Sequence, residues 1–109
     1  MSRKSATSHL RIGLAAARNA PSVEERLKTV DRFLGDAAAQ GVAIVCFPET
    51  YIPGLRGLDF DVPPHDQERQ ETALEEVRVA AGRHGVAVVM GVEAAAVVHI
   101  VLSSELSWI

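Results

Sequence analysis

Two short apolar runs, each preceded by a segment with helical periodicity, predict an α/β fold in which strands and helices alternate. The runs are VAIVCF (42–47) and VAVVMGVE (86–93). Both are continuous and rich in β-branched residues, the pattern of parallel strands covered by helices. A third observation fixes the order: a period-two stretch at 10–17 and another apolar run at 94–102 flank them. The result is β-α-β-α-β-β, which favours one sheet with crossover connections.

The elements follow in turn. LRIGLAAA (10–17) alternates Leu10, Ile12 and Leu14 with Arg11 and Gly13, hence a first strand. In NAPSVEERLKTVDRFLGDAAAQG (19–41), Ser22 and Glu25 match a capping box. Val23, Leu27, Val30, Leu34 and Ala38 recur at helical spacing, with Glu24, Lys28, Asp31 and Arg32 mostly off that stripe. Gly41 is placed to stop the helix. The run 42–47 then reads as a strand buried on both faces. Residues 48–64 lack periodicity and carry Pro48, Pro53, Pro63 and Pro64, a loop long enough to suggest function. The second helix, DQERQETALEEVRVAAGRHG (66–85), sets Ala73, Val77, Ala80 and Ala81 inward and ends at Gly85. Glu68, Glu71, Glu75 and Glu76, with Arg69 and Arg78, read as its solvated face. The run 86–93 is the next strand and 94–102 one more. Residues 1–9 are expected to be a tail, 10–102 the folded part and 103–109 an atypical C-terminal tail.

Composition narrows the function classes. With 109 residues, the chain suffices for one small domain. A hydrophobic content of 48% supports a core, and a net charge of -3 offers no basic stripe for nucleic acid. The single cysteine excludes an internal disulfide and fits a reducing compartment. MSRKSATSHLRIG has no apolar core of a signal peptide, and no run approaches the ~20 apolar residues of a membrane span. The chain is expected to be cytoplasmic, away from membranes.

The most specific stretch is VCFPETYIPGLRG (45–57). A glutamate stands one residue beyond an apolar strand, after Pro48. In open α/β sheets, sites form at the carboxyl ends of strands. A carboxylate there is partly desolvated, which raises its pKa and suits it to general base work. The structural alternative is that Glu49 caps its loop or pairs with an arginine such as Arg56.

The pattern of helix, GVAIVCFPETYIPG, helix and GVAVVMG resembles the carbon–nitrogen hydrolase family, the nitrilase superfamily. VAIVCFPET (42–50) is similar to the family's second strand, YIPGLRG (51–57) to the loop after it, and VAVVMGVEA (86–94) to the next strand. The resemblance implies an α-β-β-α sandwich, of which this chain supplies part of one half. It implies that Glu49 is the general base of a Glu-Lys-Cys triad acting on a small amide, nitrile or carbamoyl compound. A cysteine thiolate attacks the carbon, the glutamate moves protons, and the lysine stabilises charge. No metal or other cofactor is implied.

The lysine and cysteine of that triad have no counterpart among these residues. Lys4 lies in the tail and Lys28 on the first helix, while Cys46 sits inside the strand. Strand alternation turns Cys46 away from Glu49, and a buried strand cysteine is ordinarily inert. His9, His65, His84 and His99 have no metal-ligand spacing. His84 is placed to meet the negative end of the second helix. The expectation is the N-terminal part of a carbon–nitrogen hydrolase, interrupted and inactive alone, whose uncovered sheet leads to self-association. The alternatives are a non-catalytic α/β interaction module and a small hydrolase using Cys46 with Glu49.

Overall fold

Each helix begins where the sequence offers a capping side chain. In the computed structural model, which describes residues 9–17, 20–48, 50–54, 61–93, 98–102 and 107–108, α1 (Val23–Ala39) starts at Ser22, whose hydroxyl accepts from the Glu25 amide at 3.1 Å. Helix α2 (Gln67–His84) starts at Asp66, whose carboxylate accepts from the Arg69 amide at 3.1 Å. Each cap is worth about 1 kcal/mol. The far ends turn through glycines in the left-handed region, Gly41 at φ 73° and Gly85 at φ 68°. His84 and Arg83 occupy the last turn of α2, as expected for cations at that end.

The strands are β1 (Ile12–Leu14), β2 (Ile44–Cys46), β3 (Ala87–Glu93), β4 (Val98–Leu102) and β5 (Ser107–Trp108), in the order β1-β2-β3-β4-β5. The first three are parallel, joined by the two helices, and β4 and β5 continue antiparallel. The β-α-β-α-β-β order thus holds, with β5 as a further short strand. The registers Ile12↔Ile44↔Ala87 and Leu14↔Cys46↔Val89 put two rows of side chains on one face, and Gly13↔Val45↔Val88 puts another on the opposite face.

Among the described residues only that second face is covered. Val45 and Val88 are buried beneath the helices, with Val30 and Leu34 from α1 and Ala73, Leu74, Val77 and Ala81 from α2. Fully burying a side chain such as Leu34 stabilises the fold by about 1.5–3 kcal/mol. On the other face Leu14 is 81% exposed and Ile12 56%, while Ile44 and Cys46 are half-buried. This corrects the expectation that β2 is buried on both faces. Its apolar composition is real, but the helices among the described residues form one layer, which covers one face. The stripe on α1 is also corrected. Ala37 is buried and Ala38 exposed, because the stripe runs Val23, Arg26, Val30, Leu34, Ala37 and includes a charged residue.

Candidate active site

The carboxyl end of β2 is tied to both neighbouring strands. The Ala15 amide donates to the Cys46 carbonyl at 2.8 Å, and the Phe47 amide donates to the Val89 carbonyl at 2.9 Å. The Phe47 ring is buried, edge-on to Phe33 at 6.2 Å between centroids and tilted against Tyr51 at 5.8 Å. Pro48 ends the amide ladder, since it has no N–H to donate. The backbone beyond it, from Thr50 to Ile52, stays alongside β3, and Ile52 forms a parallel bridge with Val92.

Two buried polar side chains hold that segment. Arg26 on α1 is 1% exposed, and its Nη1 donates to the Tyr51 carbonyl at 2.9 Å. Its Nε donates to the Ala20 carbonyl at 3.1 Å, in the loop between β1 and α1. The guanidinium also stands 4.7 Å from the centre of the Tyr51 ring. Gln70 on α2 is 7% exposed, and its Nε2 donates to the Ile52 carbonyl at 3.0 Å. The sequence reading passed over both residues. Their signal was positional: Arg26 lies four before Val30 and eight before Leu34, and Gln70 lies three, four and seven before Ala73, Leu74 and Val77.

Thr50 lies at the start of the held segment in a strained state. Its φ is 43°, a left-handed conformation that β-branched residues avoid. Among the described residues its buried hydroxyl has no hydrogen-bond partner. Strain of this kind costs about 1–3 kcal/mol and persists only where the surroundings enforce it.

Glu49, the residue singled out by sequence, lies outside the described residues, as does Arg56. The residues on both sides of Glu49 are those just described. Cys46 is half-buried rather than buried, on the same face as Ile44. Lys28 is exposed on α1. Among the described residues no three His, Cys, Asp or Glu side chains are grouped to hold a metal. No described helix is long and apolar enough to cross a membrane.

A groove of about 500 Å³ runs between the first turns of α1 and α2 beside Pro53. Glu24, Glu68 and Glu76 line it with Arg69 and His65, so it lies on the helical side of the sheet and is predominantly acidic. At the other end of the helix pair, the His84 Nε2 donates to Asp31 at 3.0 Å, and Arg83 pairs with the same carboxylate. The hydrogen bond from His84, aided by Arg83 and opposed by desolvation, holds the Asp31 carboxyl below the usual 3.8. Gly35 leaves room for this contact, because a Cβ there would stand a tight 3.3 Å from the His84 ring.

The fold is shared with solved structures of amidases and of a synthetase. An amidase from Nesterenkonia sp. superposes with a TM-score of 0.72 at 20% identity, over 92% of this chain and 41% of that one. A variant of the Nesterenkonia AN1 amidase, of the nitrilase superfamily, gives 0.76 at 21% identity, over 92% and 41%. A glutamine-dependent NAD(+) synthetase from Cytophaga hutchinsonii gives 0.61 at 26% identity, over 87% of this chain and 17% of that one. The chain therefore spans less than half the length of the amidases whose fold it shares. No curated protein matches it in sequence. Residues 11–101 match the family described as "Carbon-nitrogen hydrolase", and by that match, over most of its length, the chain belongs to the carbon–nitrogen hydrolase family.

Proposed function

We propose that residues 10–102 are the N-terminal part of a cytoplasmic enzyme that hydrolyses C–N bonds in small amides, nitriles or carbamoyl compounds, with Glu49 as its general base. The observation that carries this reading is the Phe47-Pro48-Glu49 sequence, placed directly after β2 in a member of the family. An amidase of similar fold has been captured as a double variant in complex with acrylamide, which favours small amides as the substrate class.

In this reading the carboxylate accepts the proton of an attacking thiol, and the sulfur bonds to the amide carbon. The proton passes to the leaving nitrogen as the C–N bond breaks. The carboxylate then takes a proton from water, whose oxygen displaces the sulfur. The thiol and the charge-stabilising lysine of this reaction have no counterpart among these 109 residues. Lys28 is an exposed helix residue, and Cys46 precedes Glu49 by three on a strand. The isolated chain therefore has no turnover.

The test is ammonia release from acrylamide and propionamide by the longest protein in which these residues occur. Hydrolysis abolished by Glu49→Gln supports the assignment, and hydrolysis that survives it removes Glu49 from the mechanism. A second reading, a non-catalytic module that associates with itself, is favoured by the exposed Leu10, Ile12 and Leu14. The two are compatible in the isolated chain, where the apolar sheet face would meet a second copy.

A further inference from the structure

Arg26 and Gln70 occupy core positions that an apolar residue would fill at lower cost. Burying a guanidinium or an amide is unfavourable unless it is well partnered, and apolar replacements of similar volume often serve a core as well. Packing alone therefore gives no reason for either residue. Their common target does. From two different helices they donate to consecutive carbonyls, Tyr51 at 2.9 Å and Ile52 at 3.0 Å. Arg26 adds a bond to Ala20, so the loops that follow β1 and β2 are drawn to one cation.

The grip is applied next to a strained residue. Thr50 holds φ 43° with an unpartnered hydroxyl, which the chain would relax if the residues after it could move. On the near side, Phe47 is fixed to Val89 by its amide at 2.9 Å. In sequence, position 49 stands between those two anchored stretches.

We propose that Arg26 and Gln70 are positioning residues, which hold Thr50 to Ile52 rigidly and so set where the Glu49 carboxylate stands. This rests on the reading of Glu49 as the general base. The bonds described for both residues run to backbone carbonyls. Their effect runs through the backbone, and a base displaced by about 1 Å loses a large part of its rate advantage. Arg26 is suited to the task because its planar fork can serve two carbonyls at once, which a lysine ammonium on a flexible stem does less well.

The test uses the full chain labelled with ¹³C and ¹⁵N, and reads the titration midpoint of the Glu49 side-chain carboxyl carbon. Gln70→Leu and Arg26→Lys are compared with Val77→Ala, a core change on the same helix that leaves both carbonyl contacts in place. The expected result is a midpoint moved by ~0.5 pH unit or more in the first two, as the carboxyl enters new surroundings, and unmoved in the third. An unchanged midpoint in folded Gln70→Leu overturns the proposal, and so does an equal movement in Val77→Ala. Gln70→Leu removes no charge, so it decides the matter if Arg26→Lys does not fold. The midpoint is independent of turnover: loss of the base assignment would appear in the Glu49→Gln assay, and loss of the positioning role would appear here.

Discussion

The guanidinium of Arg26 meets Tyr51 twice, through a hydrogen bond to its carbonyl at 2.9 Å and across its ring at 4.7 Å. Removing the cation leaves the buried Tyr51 carbonyl and the part-buried Ala20 carbonyl short of a donor, and a ring short of its neighbour. Arg26→Met is expected to destabilise the fold by about 3 kcal/mol, the scale of breaking buried charge-assisted bonds. Urea denaturation monitored by circular dichroism measures this. A midpoint equal to that of the unmodified chain would mean that the contacts contribute nothing.

Thr50→Gly is expected to raise stability. It relieves about 1–2 kcal/mol of left-handed strain and removes a buried hydroxyl that has no partner. The greater freedom of glycine in the unfolded chain offsets about 0.5–1 kcal/mol of that gain. The net expectation is an increase of about 1 kcal/mol, read as a rise in Tm of about 4–8 °C. A fall in Tm would show that the hydroxyl or the methyl group is needed.

The Asp31 contact makes a prediction about acid. The folded-state pKa of Asp31 lies below its ordinary value, so the aspartate contributes stability above the ordinary pKa, lost as pH falls through the lowered one. Its side chain is 47% exposed, so the contribution is under about 1 kcal/mol and weakens with salt. Asp31→Asn should lower Tm slightly at neutral pH, and the gap should close in acid below the folded pKa. A gap that persists there would assign the effect to packing.

Much of this molecule was legible before any coordinates. Ser22 with Glu25, Asp66, Gly41 and Gly85 punctuate the helices through local chemistry that is complete within a few residues. The same is true of the apolar runs that became β2 and β3. What local pattern could not supply was the number of layers. VAIVCF reads as buried on both faces because its composition allows it, yet burial needs a neighbour, and Ile44 and Cys46 have one only in part. Arg26 and Gln70 escaped notice for the converse reason. Polar residues are assigned to solvent unless their partners are known, and those partners are backbone carbonyls 18 and 25 residues away.

The half-covered face predicts how the isolated chain associates. Leu14→Lys should change folding stability by no more than ~0.5 kcal/mol, because that side chain is already in water. It should nevertheless shift sedimentation toward the monomer. Association that is unaffected would place the contact elsewhere.

Cys46 gives an independent measure of the same face. It lies in the row Leu14↔Cys46↔Val89, so a second copy on the sheet would shield it. Alkylation by iodoacetamide should slow as protein concentration rises, and the dependence should vanish in Leu14→Lys. A rate independent of concentration would separate the thiol from any interface.

The order of strands in the sheet is also the order in which they emerge from the ribosome. The nascent β1 has no sheet neighbour until α1 and β2 have been made, since its parallel partner is β2. At ~5–20 residues per second that wait lasts seconds, long compared with the formation of a helix. Thereafter each strand joins beside the one made before it, and none has to be threaded between two already in place. The sheet can therefore grow in one direction as translation proceeds, with its antiparallel members added last at the far edge.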